Sequence, residues 1–400
     1  MAKKSSTSDK KATQGIVVHV ERVGLATPAR PFLVEFFPSH DQIAAEEIAR
    51  ARELAVQERN ARHALATVQE KWWKRKDVVG LSVTYKTKFG EVVSPLQFVI
   101  QVEVERKYSE DYLRKKRIKI FTREVIGTGK LDWPVTVKVR EMRYVAAIAT
   151  GHTLSSSASS LMKANEIKGG IQIASILTPD EWGTLGICVP HGLTEPRELV
   201  GITNLHVAGI PNTVIRNPSG TTTSKGNENF GHVSASSIDQ AMIVKDPSPA
   251  PAIDRPFNEG LINSQGLLKP SDVIGTDILF LTDSVMTGSG IGEVRKVGAR
   301  TGLTNGFIDQ ESHPQIKVRI NGVLEEFNKV ITFKGHSTST VMDGGDSGSV
   351  LLADVNGKTV VLGLIFAQTD ATSLGVALPF GRVIKALRLK IDPLRKFTFK

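Results

Sequence analysis

From Ser39 to about Lys74 the chain has no Gly or Pro and is rich in Ala, Glu, Arg and Gln, with Leu54, Ala61, Leu65, Val68 and Trp72 recurring at helical steps. That spacing predicts one long amphipathic helix, with Ser39 or Asp41 available to cap its start. The pattern then changes period. Gly80–Thr87 and Leu96–Glu105 alternate apolar and polar residues across a turn-like KFGE, which predicts a pair of strands, and PVTVKVREMRYVAAI adds more β signal. The first 150 residues read as a small α+β domain, preceded by a polar Lys/Ser-rich tail over residues 1–15.

HTLSSSASS, from His152 to Ser160, breaks the periodicity and predicts a linker over about 151–165. Beyond Gly169 the texture is different. Short apolar or alternating segments recur between Gly, Pro, Asn and Asp clusters: IQIASIL, GTLGICV, ELVGITNLHV, SIDQAMIVK, DILFLT, GEVRKVGA, QIKVRI, VITFKG, GSVLLAD, TVVLGLIFA and SLGVALP. Only the basic GRVIKALRLKI near the C-terminus has a helical period. About a dozen short strands with turn punctuation predict antiparallel β-barrels or a sandwich over 166–400. There is no internal sequence repeat.

At 400 residues the chain exceeds what one compact core usually holds, which supports two domains, one over 16–150 and one over 166–400. A composition of 40% hydrophobic and 23% charged residues excludes collagenous, coiled-coil and wholly disordered classes. No apolar run approaches the roughly 20 residues of a spanning helix, and MAKKSSTSDKK leads into no apolar signal segment, so no membrane partner and a cytoplasmic location are expected. Cys188 is the single cysteine, which excludes a disulfide framework and multi-thiolate zinc sites, and its apolar setting predicts a buried structural thiol.

The net charge of +10 is unevenly placed. Residues 1–150 carry 28 Lys and Arg against 18 Asp and Glu, while residues 151–400 carry 23 of each. The densest stretch, Arg106 to Glu124, mixes bases with Tyr108, Tyr112 and Phe121. It reads first as a solvated basic face and second as a site for an acidic protein or nucleic acid, and it contains no nucleic-acid motif.

Chemistry enters with VMDGGDSGSVLL, residues 341–352. A nucleophilic serine needs a tight turn that projects its hydroxyl while main-chain N–H groups converge on the oxygen that becomes negative in acyl transfer. Gly344, Gly345 and Gly348 around Ser347 supply that freedom. GITNLHVAG places His206 just after a β-like run, and HVSASSIDQAMIV places Asp239 at the start of an apolar strand.

The order His, Asp, Ser in these contexts on an all-β background resembles the trypsin/chymotrypsin-like serine endopeptidases. ITNLHVA is similar to that family's T-A-A-H segment, with Asn204 and Leu205 in place of two alanines and Val207 in place of the usual cysteine. IDQAMI resembles its D-I-A-L segment, and GDSGS departs from G-D-S-G-G only in the last residue. VGARTGLTNGFI, GGIQIAS and GTLGICV are similar to an intracellular, disulfide-free branch known from bacteria and plants, some members of which carry a small α+β domain in front. The resemblance covers about residues 166–385 and implies a mainly β fold, a double antiparallel β-barrel preceded by a smaller α+β domain, with the site between the barrels.

It further implies that Ser347 is the nucleophile, His206 the general base and then acid, and Asp239 the carboxylate that fixes the imidazole. The N–H groups of Gly345 and Ser347 would form the oxyanion hole. The pocket for the residue before the cut would be lined by Val341 and Met342 and by Phe366, Ala367 and Gln368. Val341 stands where an acidic residue would select Lys or Arg, so a small or apolar residue is expected there. Secreted relatives often pair a freshly cut N-terminus with the aspartate beside the serine, so here Asp346 must find another partner or the site stays immature until something binds.

The implied function is a serine endopeptidase acting on specific intracellular proteins, a regulated stress or defence effector whose N-terminal domain recruits or senses a regulatory partner. The alternative is a catalytically silent binding module whose basic N-terminal domain engages an acidic protein or nucleic acid. His232, His313 and His336 compete weakly, since none follows a β run as His206 does. GTGK at 127–130 lacks the upstream glycine of a phosphate-binding loop, GSGIG at 288–292 is too short for a nucleotide site, and no His/Asp/Glu spacing suggests a metal, so no cofactor is expected.

Overall fold

The computed structural model describes residues 45–88, 91–92, 97–126, 133–147, 149–150, 167–178, 180–191, 198–218, 227–237, 239–245, 257–263, 266–267, 293–336, 341–355, 358–369 and 374–388. The predicted N-terminal tail, the linker, the helix caps Ser39 and Asp41, and the DILFLT segment lie outside them.

The long helix spans Ala45–Trp73 and ends with Lys71 in its last turn, where a cation favours the carbonyl end of the helix. Its apolar stripe, Ala61, Ala64, Leu65 and Trp72, packs on Val78, Leu81, Val83, Ile100, Val102, Val104, Val125 and Val135. The strands beneath are Val78–Tyr85, Phe98–Val104, Glu124–Ile126 and Pro134–Glu141, of which the first two pair antiparallel with Leu81 opposite Val102. The basic stretch contains a short helix, Glu110–Lys115, capped by Ser109 and with no buried residue.

The second β half closes on itself. Glu293–Gly298, Val350–Val355, Lys358–Thr369, Gly375–Pro379, Val323–Gly335 and Gly302–Ile320 pair in that order, and the last returns to the first through Gly298 opposite Gly302. The result is a six-stranded antiparallel barrel. The first β half is an eight-stranded sheet in the order Ile187–His191, Glu198–Thr203, Gln240–Lys245, Asn227–Ser237, Val214–Pro218, Gln172–Ser175, Glu181–Thr184 and Ala149–Thr150. Ile171, Ile173, Leu185, Cys188, Val207, Ile215 and Val233 fill its core, and the thiol of Cys188 is buried there. The chain is thus mainly β, with one antiparallel barrel and one antiparallel sheet behind a smaller α+β layer.

That layer is continuous with the barrel. Val78–Tyr85 also pairs with Gly302–Ile320, Gly80 opposite Ile316 and Leu81 opposite Gln315, which joins the N-terminal strands to the barrel in one eleven-stranded sheet. The strand is buried along six consecutive residues because both faces are covered. Val79 enters the barrel core while Val78, Leu81 and Val83 lie under the helix. Lys317 reinforces the junction by donating to the carbonyl oxygens of Trp73 and Arg75 at 3.1 and 3.3 Å. Around residue 150, the expected domain boundary, the backbone runs through strand pairing on both sides: Tyr144–Ala146 pairs with Lys358–Thr369, and Ala149–Thr150 pairs with Glu181–Thr184.

Candidate active site

Three turns bring the chemistry together. The strand Glu198–Thr203 ends at Asn204, and a single helical turn, Leu205–Ala208, carries His206. Asp239 sits at the turn between Asn227–Ser237 and Gln240–Lys245. Ser347 lies on the loop that leads into Val350–Val355. In that loop Gly345 and Gly348 adopt φ of +105° and +95°, conformations that a side chain disfavours. A Cβ on Gly345 would also stand 2.5 Å from the Trp182 ring.

The loop is braced from both halves of the molecule. Thr184 donates its N–H to the Ser347 carbonyl at 2.7 Å and its hydroxyl to the Gly345 carbonyl at 2.8 Å. The Gly348 N–H donates to the Ile365 carbonyl at 2.8 Å. Such bracing fixes the serine before any ligand arrives.

His206 Nδ1 is 2.6 Å from Asp239 Oδ1, and His206 Nε2 is 2.6 Å from Ser347 Oγ. The side chains of His206 and Asp239 are 1% and 3% exposed, so little water competes for these bonds. A carboxylate can only accept, which places the imidazole proton on Nδ1 and leaves the Nε2 lone pair facing the hydroxyl. Asp239 Oδ1 also accepts from the backbone N–H of His206 at 3.2 Å, while Asp239 Oδ2 is buried and has no partner among the described residues. Ser347 Oγ has two further acceptors nearby, Asn204 Oδ1 at 3.2 Å and the Phe366 carbonyl at 3.0 Å. One hydroxyl proton faces three acceptors. Asn204, at a position where the resembled family has alanine, is tied in turn to the Asp239 carbonyl by its Nδ2 at 3.0 Å.

Asp346, beside the serine, has the opposite surroundings. Its Oδ2 meets Lys296 Nζ at 2.9 Å, the Thr301 hydroxyl at 2.7 Å and the Asp343 N–H at 3.0 Å. Its Oδ1 accepts from the N–H groups of Arg300 and Thr301, both at 3.1 Å. The Lys296 and Asp346 side chains are fully buried. Burial pulls the Lys296 ammonium below the usual lysine range, and the charge of Asp346 opposes that shift. An internal lysine therefore supplies the cation that the sequence left open for Asp346. Its only signal in GEVRKVGAR was a lysine set among strand valines.

The N–H groups of Gly345 and Ser347 converge on one acceptor, the carbonyl oxygen of Ala147, at 2.7 and 3.1 Å. The Ala147 N–H donates to the Phe366 carbonyl at 3.1 Å. Upstream, Ala146, Val145 and Tyr144 stand opposite Ala367, Gln368 and Thr369 in antiparallel register. Of the five residues expected to line a pocket, Val341 and Met342 are buried in the same apolar cluster as Ala147, with Phe333 and Ile365. The ring of Phe366 points into the main core against Phe327, at a centroid distance of 4.5 Å, so Phe366 meets the cleft through its carbonyl. Ala367 is buried and Gln368 is partly exposed, and both pair with the Tyr144 strand through their backbones.

His336 lies against Phe307, and His232 is held within a strand paired opposite Val214. The side chain of His313 lies outside the described residues. Among the described residues no group of three or more His, Cys, Asp or Glu is arranged to hold a metal ion, and no helix is long and apolar enough to cross a membrane.

No family model matches the chain, and no curated protein matches it. Among solved structures it is similar to the chymotrypsin of Cellulomonas bogoriensis, at 16% identity and a TM-score of 0.35 over 58% of this chain and 100% of that one. It is also similar to the Nocardiopsis protease, at 14% identity and 0.37 over 58% and 100%. A third is the NS6 protease from murine norovirus 1, at 15% identity and 0.27 over 62% and 100%. Likeness at this level carries no statement about chemistry, which rests on the distances above.

Proposed function

We propose that this chain is a serine endopeptidase that cuts peptide bonds through an acyl-enzyme, with Ser347 as nucleophile, His206 as general base and then acid, and Asp239 as the carboxylate that orients the imidazole. The single observation that carries this reading is the unbroken line Asp239 Oδ1, His206 Nδ1, His206 Nε2, Ser347 Oγ, with 2.6 Å at each gap and almost no solvent.

A serine hydroxyl is a poor nucleophile near neutral pH until a base takes its proton. As Oγ attacks a carbonyl carbon, Nε2 receives that proton and the imidazole becomes cationic beside Asp239, which stabilises it. The carbonyl oxygen gains negative charge and is met by the N–H groups of Gly345 and Ser347, already aimed at one point. The imidazolium then protonates the departing amine, and a water repeats the cycle to free the acid. Lys296 serves this machinery indirectly, because pairing with Asp346 holds the loop that aims both N–H groups.

Specificity for a small or apolar residue before the cut is the finer reading. Its support is the apolar cluster of Val341, Met342 and Phe333. A panel of peptides differing only at that position tests it. Turnover by wild type and not by Ser347→Ala, fastest with Ala or Val, is the expected result. A clear preference for Arg would refute the specificity, and equal turnover by Ser347→Ala would refute the assignment.

A further inference from the structure

We propose that the first substrate of this chain is the chain itself, and that Ser347 cleaves the peptide bond on the carboxyl side of Ala147. The inference deepens the endopeptidase reading and rests on it.

Four observations converge on Ala147. Its carbonyl oxygen receives both N–H groups that would stabilise an oxyanion, and one of them belongs to the nucleophile itself. Its own N–H donates to the Phe366 carbonyl, which anchors the residue from the other side. Its methyl group is fully buried with Val341, Met342 and Phe333, so the apolar surroundings expected to receive the residue before a cut already hold one. Finally, strand pairings flank the bond on both sides in sequence. Tyr144–Ala146 lies antiparallel to Lys358–Thr369 in the barrel, and Ala149–Thr150 lies antiparallel to Glu181–Thr184 in the first sheet. Strand pairing on both sides of a bond is how a protease holds a substrate for cutting.

The α+β layer holds this segment in place. Tyr144 Oη donates to Glu103 Oε2 at 2.6 Å, and Glu103 Oε1 accepts from Gln101 Nε2 at 2.8 Å, all buried. The Met142 N–H donates to the Val104 carbonyl at 2.9 Å. Tethering of this kind raises the effective concentration of the bond at the serine far above that of any free peptide.

The step balances without any co-reactant but water. Ser347 Oγ bonds to the Ala147 carbonyl carbon as its proton passes to His206 Nε2. The bond from that carbon to the nitrogen of residue 148 breaks, and His206 returns the proton to the leaving amine. Water then attacks the ester, leaving a carboxylate on Ala147 and a free amine on Ile148, which itself lies outside the described residues. Both pieces stay joined through the Gly80–Ile316 and Leu81–Gln315 pairing, so the cut is visible only after denaturation.

The test is intact mass under denaturing conditions for the full chain, wild type and Ser347→Ala, sampled over time. Wild type is expected to split into fragments ending at Ala147 and starting at Ile148, at a first-order rate unchanged over about a hundredfold range of concentration, while Ser347→Ala stays whole. Ala147→Glu, which forces a carboxylate into the apolar site, should slow the cut by roughly 100-fold. A wild-type chain that stays whole while a fluorophosphonate labels Ser347 would overturn self-cleavage and spare the endopeptidase reading. A whole chain with no label would remove both. Cleavage at another bond, or a rate rising with concentration, would also overturn the proposal.

Discussion

Two aspartates at the site, Asp239 and Asp346, sit in contrasting surroundings. Asp346 is answered on every side, by a buried ammonium, a hydroxyl and three backbone N–H groups. Asp239 faces the imidazole with one oxygen and leaves the other without a partner among the described residues. A fully satisfied buried group favours one geometry and stays there. An under-satisfied one keeps its capacity to respond, and the neighbouring hydroxyl has one proton to divide among three acceptors. The difference teaches how the loop is divided: the Asp346 side fixes the frame, and the Asp239 side handles the moving proton.

The largest effect belongs to the mobile side. His206→Ala or Ser347→Ala should lower turnover by roughly 10⁴- to 10⁶-fold, with the melting temperature within a few degrees of wild type. A comparable loss of folding would erase the distinction between the two sides.

The frame side should fail in the other currency. Lys296→Met leaves Asp346 buried without its cation, which costs about 3–5 kcal/mol, read as a fall in urea midpoint. Activity should fall with it, as the N–H groups of Gly345 and Ser347 lose their aim. Unchanged stability would show that the buried pair does not hold the loop.

The smallest effect concerns the strand across the cleft. Tyr144→Phe removes a donor from buried Glu103 and should cost about 1–3 kcal/mol. Burial, followed by the charge of Glu103, raises the Tyr144 phenol well above its ordinary value. The folded state thus keeps a proton that the unfolded chain releases above about pH 10, so stability present below that pH is lost as pH rises through it. Lys296, whose ammonium is shifted downward, acts with the opposite sign, so the test is the difference between chains. Wild type should lose stability more steeply than Tyr144→Phe at alkaline pH, and parallel curves would contradict this.

Much of the architecture was legible because it rests on local periodicity. The stripe Ala61, Leu65 and Trp72 announces the helix, and the alternation in LQFVIQVEVE announces its strand. Period identifies a strand and is silent about its neighbour. The pairing of Gly80 with Ile316 spans the chain, and so what reads as a separate N-terminal domain is hydrogen-bonded into the barrel sheet. At the site, His206, Asp239 and Ser347 stood out because each chemical type falls in a turn-rich context. Lys296 did not, because a buried lysine looks in sequence like any strand lysine. Nor did Ala147, whose contribution is a backbone carbonyl in an unremarkable VAAIA.

The central claim, that Ser347 is made nucleophilic by His206, is tested most directly by mapping the site of a fluorophosphonate adduct by peptide mass, in wild type and in His206→Ala. The account predicts a single adduct on Ser347 in wild type and none in the variant. An adduct that forms equally in both chains, or on another serine, would contradict it.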